Sequence, residues 1–578
     1  MKILVAREAG FCMGVRRALE LVVKQAGNAE SGVVTWGPLI HNPQVVNLLE
    51  THGITSGREI GDLKPGRTVF ISAHGISPAV REKLKATGAR VCDASCPDVV
   101  KVQAVIKKYA ARGYHTVIFG DAGHTEVEGL LGYTEGRGFV VGAPEEIEGL
   151  PPLGKVLLVS QTTRPQAEYD RVAERARARF RETAVAQTIC ASTRNRQAEL
   201  ARMLEKVDAL VVVGGKNSAN TARLSAIARQ RQLPTFQVET AEELPVDELG
   251  GFRVVGVTAG ASTPNWLIQG VVESLKEYGL RKTFFPIRWF FRLTRLLVKS
   301  NALVALGAAG LAVFTQATLG LPFSWKDPVF AYLATQAIYT INIFADPKVL
   351  SINAPYRSRF YYRHQAFLLG LAAVETVAGL LVAFSLGRAP FLMAIIVLVA
   401  GLFYIFPLIP GRVKRLKDSP QFRELTSSLG WVCVTAVFPL LASPRVESLS
   451  ALPLVLLFAF VISLVRSILF GVRDLQGDRL LGRGTLPVLL GRGRSKVLIC
   501  SLLAALVAAT LIWAPGMGRA SRPLLSIYAV TAYVLGYLAL YHRRIVYEGL
   551  LQEIIVDGQF ILAGLLAAAL RLSEPGGW

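Results

Sequence analysis

Three cysteines, Cys12, Cys96 and Cys190, lie 84 and 94 residues apart in GFCMGVRRAL, DASCPDVVKV and TICASTRNRQ. Each sits between a short apolar run and a helix-like segment, so the chain reads as three pseudo-equivalent lobes that each bring one thiol to a common centre. Three thiolates can hold an iron–sulfur cluster and leave one iron without a protein ligand, open to a substrate oxygen. An isolated cysteine is most often simply buried, but here the neighbouring residues argue for a site. His41 in GPLIHNP, His74 in ISAHG and His124 in GHTEVEG each follow a strand-like run with glycines nearby, in a chain with only seven histidines. Together they predict one polar pocket for an anionic ligand. Glu126, two residues past His124, is the candidate proton donor for a hydroxyl that leaves as water.

The elements that must position these residues are alternating strands and helices. Three further apolar strands each end in a loop of small residues: SQTT with Thr162 and Thr163, GGKNSANT with Ser218, Asn220 and Thr221, and TAGASTP with Ser262 and Thr263. Such loops offer hydroxyls, amides and backbone N–H groups to phosphate oxygens, and three of them point to a diphosphate.

Residues 1 to about 278 resemble the 4-hydroxy-3-methylbut-2-enyl diphosphate reductase family, through nine motifs in order: GFCMGV, GPLIHNP, SAHG, DASCP, GHTEVEG, SQTT, the TIC segment, GGKNSANT and TAGASTP. The resemblance implies an α/β three-lobed, pseudo-threefold domain around a [4Fe-4S] cluster on Cys12, Cys96 and Cys190. It further implies diphosphate contacts from His41, His74, His124, Thr162, Ser218, Asn220 and Ser262, and a proton relay through Glu126. Three positions depart from the family pattern: Ala219 replaces a serine and leaves only its backbone N–H, Gln103 replaces a histidine, and Asn265 replaces a glutamate. The implied reaction yields isopentenyl and dimethylallyl diphosphate, with a reduced ferredoxin or flavodoxin as donor.

From about residue 297 the chain changes character. Nine apolar runs of roughly 20 residues recur, each long enough to cross about 30 Å of hydrocarbon. They fall near 297–319, 327–345, 366–386, 390–409, 425–443, 451–470, 497–515, 523–541 and 552–570. The expected division is a reductase domain at 1–280, a basic aromatic linker at 281–298 and an all-α polytopic membrane domain at 299–578. With KILVA reading as a strand, no secretory leader is expected.

Lys and Arg concentrate in alternate loops, among them Lys282, Arg412, Lys414, Arg543 and Arg544, while the intervening loops hold few, such as Arg519. By the positive-inside rule the N-terminal half is cytoplasmic, in a reducing compartment. The same bias accounts for much of the +22 net charge, which is therefore not read as nucleic-acid binding. FFPIRWFFRLTRLLVK interleaves aromatic and basic residues and reads as an interfacial segment on anionic lipid.

Two segments with acidic residues stand at the predicted cytoplasmic edge. Asn342 and Asp346 close the second span, and Asp474 and Asp478 follow the sixth in RDLQGDRLLGRGTLPVLLG. Carboxylates there can hold Mg²⁺ and a diphosphate together. Residues from about 290 onward resemble the UbiA-type intramembrane prenyltransferases, which implies nine helices, a Mg²⁺-bound prenyl diphosphate and a lipophilic prenyl acceptor. Ile343, Leu350 and Gly471 stand where that family carries acids. The main reading joins a reductase to a membrane prenyltransferase. A second keeps the reductase and makes the membrane half a degenerate anchor or lipid-binding module. A third, a redox sensor or binding protein, is opposed by the intact cysteine, histidine and glutamate set. Cys92 would complete a four-thiol set with no opening for substrate, and Cys433 and Cys500 read as packing residues.

Overall fold

β-Branched runs four to six residues long, punctuated by helix caps, build the first half. The computed structural model describes residues 1–26, 32–57, 59–63, 65–281, 284–407, 415–418, 422–515, 521–542 and 549–573. Lys282, Arg412, Lys414, Arg519, Arg543 and Arg544, used above for orientation, lie outside them. The chain divides into two compact units, Met1–Lys282 and Thr283–Trp578.

Twelve strands are found among the described residues of the first unit. They are β1 (Lys2–Val5), β2 (Val33–Trp36), β3 (Ile54–Gly57), β4 (Thr68–Ile71), β5 (Arg90–Asp93), β6 (His115–Phe119), β7 (Gly138–Val141), β8 (Lys155–Ser160), β9 (Glu182–Val185), β10 (Ala209–Val213), β11 (Thr235–Val238) and β12 (Val254–Ala259). They form three four-stranded sheets in the orders β1-β12-β10-β11, β3-β2-β4-β5 and β7-β6-β8-β9. Every pairing is parallel. Helices cover both faces of such sheets, which is why Val156–Val159 and Ala209–Val213 read as unbroken apolar runs and are fully buried. The first sheet draws on both ends of the unit, since Lys2 pairs with Val254 and Val5 with Val257.

Functional loops sit at the carboxyl ends of these strands, where open parallel sheets present ligands to helix N-termini. Four candidate site residues, and Asn42 beside His41, are helix caps. His124 caps Thr125–Leu131, Cys96 caps Pro97–Ala110, Cys190 caps Ala191–Leu204, Ser218 caps Ala219–Gln230 and Asn42 caps Pro43–Glu50. Each has extended backbone before a helix, and the side chains of His124, Cys190, Ser218 and Asn42 accept a first-turn N–H.

The second unit contains nine helical segments long and apolar enough to cross a membrane, among the described residues. Their core is aromatic and aliphatic: Phe314, Phe330, Phe438 and Phe458 are buried together. The basic aromatic segment forms its own helix, Phe285–Lys299, which stops at Ser300. Asn301 then takes a left-handed conformation (φ 68°), and Ala302–Leu319 begins anew. Phe285, Trp289 and Phe290 on that helix are exposed.

Three span edges differ from the sequence expectation. The first span begins at Ala302 rather than about 297, since residues 297–299 close the preceding helix. The sixth helix runs to Leu480 rather than about 470, so Asp474 and Asp478 lie in its last turns and not in a following loop. Nothing between Phe470 and Leu480 breaks a helix, since Gly471 and Gly477 only lower its propensity. The seventh starts at Leu486, with Pro487 in its first turn and a kink at Gly491 (φ 77°).

Candidate active site

The three histidines meet. Ring centroids are 4.5 Å apart for His41 and His74, 5.6 Å for His41 and His124, and 5.7 Å for His74 and His124. Burial, with His41 alongside, pulls His124 down to about 4, so its ring is neutral near pH 7. Its Nδ1 accepts the Glu126 backbone N–H at 3.1 Å, which leaves the ring proton on Nε2.

Glu126 is 2% exposed. The Thr162 backbone N–H donates to one carboxylate oxygen at 2.7 Å and the Thr162 hydroxyl to the other at 3.0 Å. Burial raises the Glu126 carboxyl to about 7, against the opposing pull of Thr162 and Arg223. A carboxyl poised there can hold a proton at neutral pH and give it up. Thr162 thus supports the acid, a part beyond the diphosphate contact expected of it.

The small-residue loops converge on the same region. Ser262 donates its hydroxyl to the His41 carbonyl at 3.1 Å. A Cβ added at Gly215 would stand 3.0 Å from that carbonyl, so the bare backbone lets the GGKNSANT loop approach. Ser218 accepts the Thr221 N–H at 3.4 Å. Asn220 is buried, and its Nδ2 has no protein partner among the described residues, a donor suited to an anion. Ala219 opens the helix Ala219–Gln230 and contributes a backbone N–H at its N-terminus.

The cysteine segments also suit a cluster. Cys12 Sγ receives the Val15 N–H at 3.4 Å and Cys190 Sγ the Thr193 N–H at 3.3 Å, while Cys96 faces the N–H groups of Asp98 and Val99. Helix N-termini favour thiolate at each. A Cβ at Gly14 would stand 2.5 Å from Cys96 Sγ, so this glycine lets the first and second cysteine segments meet. Burial raises Cys96 to about 11 and raises Cys190 as well, so cluster binding must release their protons. Among the described residues no three His, Cys, Asp or Glu side chains close on a single metal ion. A cage ligated at separate irons does not require that.

Sequence reasoning missed three arginines and an aspartate. Arg196, 2% exposed, donates to the carbonyls of Ala259 at 2.7 Å and Gly10 at 3.0 Å. It ties the Cys190 helix to β12 and to the Cys12 loop. Asp121, at the end of β6, binds Arg164 at 2.9 Å and Arg223 at 2.5 Å, so it joins two lobes beside Glu126. Burial works against the Asp121 charge, but the two guanidinium groups hold it below the ordinary carboxylate range. The only signal for Asp121 was its place beside the AGH turn. Gln103 is buried against the Gly75 turn beside His74, and Asn265 begins the helix Asn265–Arg281.

In the membrane unit, the acids expected to hold Mg²⁺ are held by cations. Asp346 accepts from Arg415 at 2.6 Å, Lys417 at 2.8 Å and Arg483 at 2.8 Å. Lys417 also donates to Asn342 Oδ1 at 2.9 Å. Asp474 pairs with Arg473 at 2.7 Å, and Asp478 accepts from Asn353 at 3.0 Å and Arg423 at 3.4 Å. Gly471 cannot accept the acid its family carries there, because a Cβ would stand 2.8 Å from the Pro487 ring. This donor set, with its oxygens engaged by guanidinium and ammonium groups, does not fit a pair of magnesium ions.

Comparison with known proteins follows the same division. Residues 302–548 match the UbiA prenyltransferase family. A UbiA homolog from Archaeoglobus fulgidus, solved with GPP and Mg²⁺, is 16% identical, with 47% of this chain and 97% of that one aligned at a TM-score of 0.35. The reductase from Plasmodium falciparum is 28% identical, covering 47% of this chain and 87% of that one at a TM-score of 0.45. A relative from Opitutus terrae named 4-hydroxy-3-methylbut-2-enyl diphosphate reductase is 44% identical over 48% of this chain and 99% of its own. With residues 3–276 also matching the LytB protein model, the chain belongs to the LytB, or 4-hydroxy-3-methylbut-2-enyl diphosphate reductase, family and carries a UbiA-family domain after it.

Proposed function

We propose that the N-terminal half reduces 4-hydroxy-3-methylbut-2-enyl diphosphate to isopentenyl and dimethylallyl diphosphate, with a [4Fe-4S] cluster on Cys12, Cys96 and Cys190. The conversion takes up two electrons and two protons and releases the hydroxyl as water. When bound, the cluster supplies the electrons one at a time and the Lewis acidity. His41, His74 and His124, with Ser218, Asn220, Ser262 and the Ala219 N–H, hold the diphosphate. Glu126, oriented by Thr162, carries the proton that lets the hydroxyl leave. The observation that carries this reading is that buried carboxyl, raised to about 7 beside a neutral His124. A reduced ferredoxin or flavodoxin is the expected donor.

The membrane half makes the protein multi-pass, with the N-terminal half and basic loops on the cytoplasmic side. Its UbiA-like bundle handles a prenyl diphosphate for transfer to a lipophilic acceptor. The test of the reductase reading is anaerobic turnover of the substrate together with iron analysis. Cys190→Ser should lower both iron content and product, and an unchanged iron stoichiometry would remove Cys190 from the ligand set.

A further inference from the structure

Charge at the polar end of the membrane bundle is arranged unlike a metal site. Three cations, Arg415, Lys417 and Arg483, gather on the single carboxylate of Asp346 within 2.8 Å. Lys417 is only 3% exposed by its side chain, so its ammonium group is a built part of the protein rather than a surface tail. Arg415 shares a second acid, Asp418, at 2.7 Å. Counting these five groups, one positive charge remains unbalanced. The other acids of the two segments bond elsewhere: Asp474 to Arg473, which also holds Glu553, and Asp478 to Asn353 and to Arg423, which also faces Glu424.

A magnesium ion binds through one or two carboxylates, phosphate oxygens and water, with near-octahedral geometry. At Asp346 it would displace three charged donors and then sit among them. A phosphate group meets the opposite situation. Guanidinium and ammonium groups are its ordinary protein partners, and Arg offers paired N–H donors that match its oxygens. The Asp346 carboxylate occupies those donors as an internal anion.

We propose that Arg415, Lys417 and Arg483 form a metal-independent site for the diphosphate of an isoprenoid lipid, which the ligand enters by displacing Asp346. The proposal rests on the UbiA-like reading of the membrane half and replaces its metal requirement. It predicts opposite signs for two kinds of substitution. Removing a cation weakens binding, whereas removing the competing carboxylate strengthens it. In a metal-dependent site both lose binding.

The experiment uses the full chain in nanodiscs of neutral lipid, in a His124→Ala background that disables diphosphate binding by the other half. Labelled geranylgeranyl diphosphate is titrated in EDTA and again with Mg²⁺, with inorganic diphosphate as competitor. The expected result is saturable binding in EDTA, unchanged by Mg²⁺, about tenfold weaker in Arg483→Gln and severalfold tighter in Asp346→Asn. Competition by inorganic diphosphate only at far higher concentration would assign the affinity to the lipid rather than to free diphosphate, as proposed. Equal competition would overturn the lipid assignment. Binding that needs Mg²⁺ and is lost in Asp346→Asn overturns the proposal and leaves the transferase reading standing. No binding under either condition, with native helicity by circular dichroism, overturns both.

Discussion

Replacing Glu126 by Gln separates two properties that a buried acid combines. Gln fills the same volume, its carbonyl can still accept the Thr162 N–H, and the Thr162 hydroxyl can turn to accept from the new amide. What disappears is the proton and the charge. In the folded protein the carboxyl titrates at about 7, raised from 4.5 by burial. Because the folded value lies above the unfolded one, the contribution to stability is complete below about pH 4 and is lost as pH rises through 7. The difference amounts to about 3 kcal/mol, taking 1.36 kcal/mol per pKa unit. A neutral amide never bears that cost, so Glu126→Gln should gain on the wild type by about 3 kcal/mol between pH 4.5 and pH 8.5. Hydrogen exchange of the β8 amides in the full-length protein, read as an opening free energy across that range, measures it. Turnover should fall by a factor on the order of 10² to 10⁴, the usual share of a general acid. A stability difference that does not change with pH would refute the burial argument. Full turnover would refute the proton role.

Other perturbations follow from the same geometry. In the wild type, kcat should decline above about pH 7 as Glu126 loses its proton, with no limb from His124 above pH 5 because that ring is already neutral. Pre-steady-state pH profiles would show it. Gly14→Ala places a methyl against Cys96 Sγ, so iron per chain should drop while helix content stays normal. Asp121→Asn weakens the tie to Arg223 across two lobes. Since Asp121 is more than a third exposed, the loss should be about 1 kcal/mol, seen as a roughly fivefold higher KM with little change in kcat.

Much of the site was legible because its chemistry is carried by short local segments. A cysteine before a helix, or a glycine-flanked histidine after a strand, keeps its meaning whatever the fold, and these residues fall on caps for local reasons. Arg196 was not legible. Its role depends on carbonyls at Gly10 and Ala259, far apart in sequence, and its own neighbourhood looks like any charged helix. The same limit hid the pairing of β1 with β12. In the membrane half, hydropathy located the spans, but helix ends near Leu480 and Leu486 depend on which residues break a helix and not on which are apolar. Nor could the sequence show that Asp346 would be claimed by three cations.

The β1–β12 pairing also sets a clock. Lys2 cannot pair until Val254 has been made, and at about 5 to 20 residues per second that wait is roughly 10 to 50 s. Throughout it, the strand leading to Cys12 lacks the strand it pairs with, whereas the sheets beside Cys96 and Cys190 are complete once residues 93 and 185 have been made. The first cysteine to be synthesised is therefore the last to be fixed in place. For the cluster proposed on these thiols, iron delivery would then follow translation of the whole reductase half, when the ribosome is close to the first candidate membrane span.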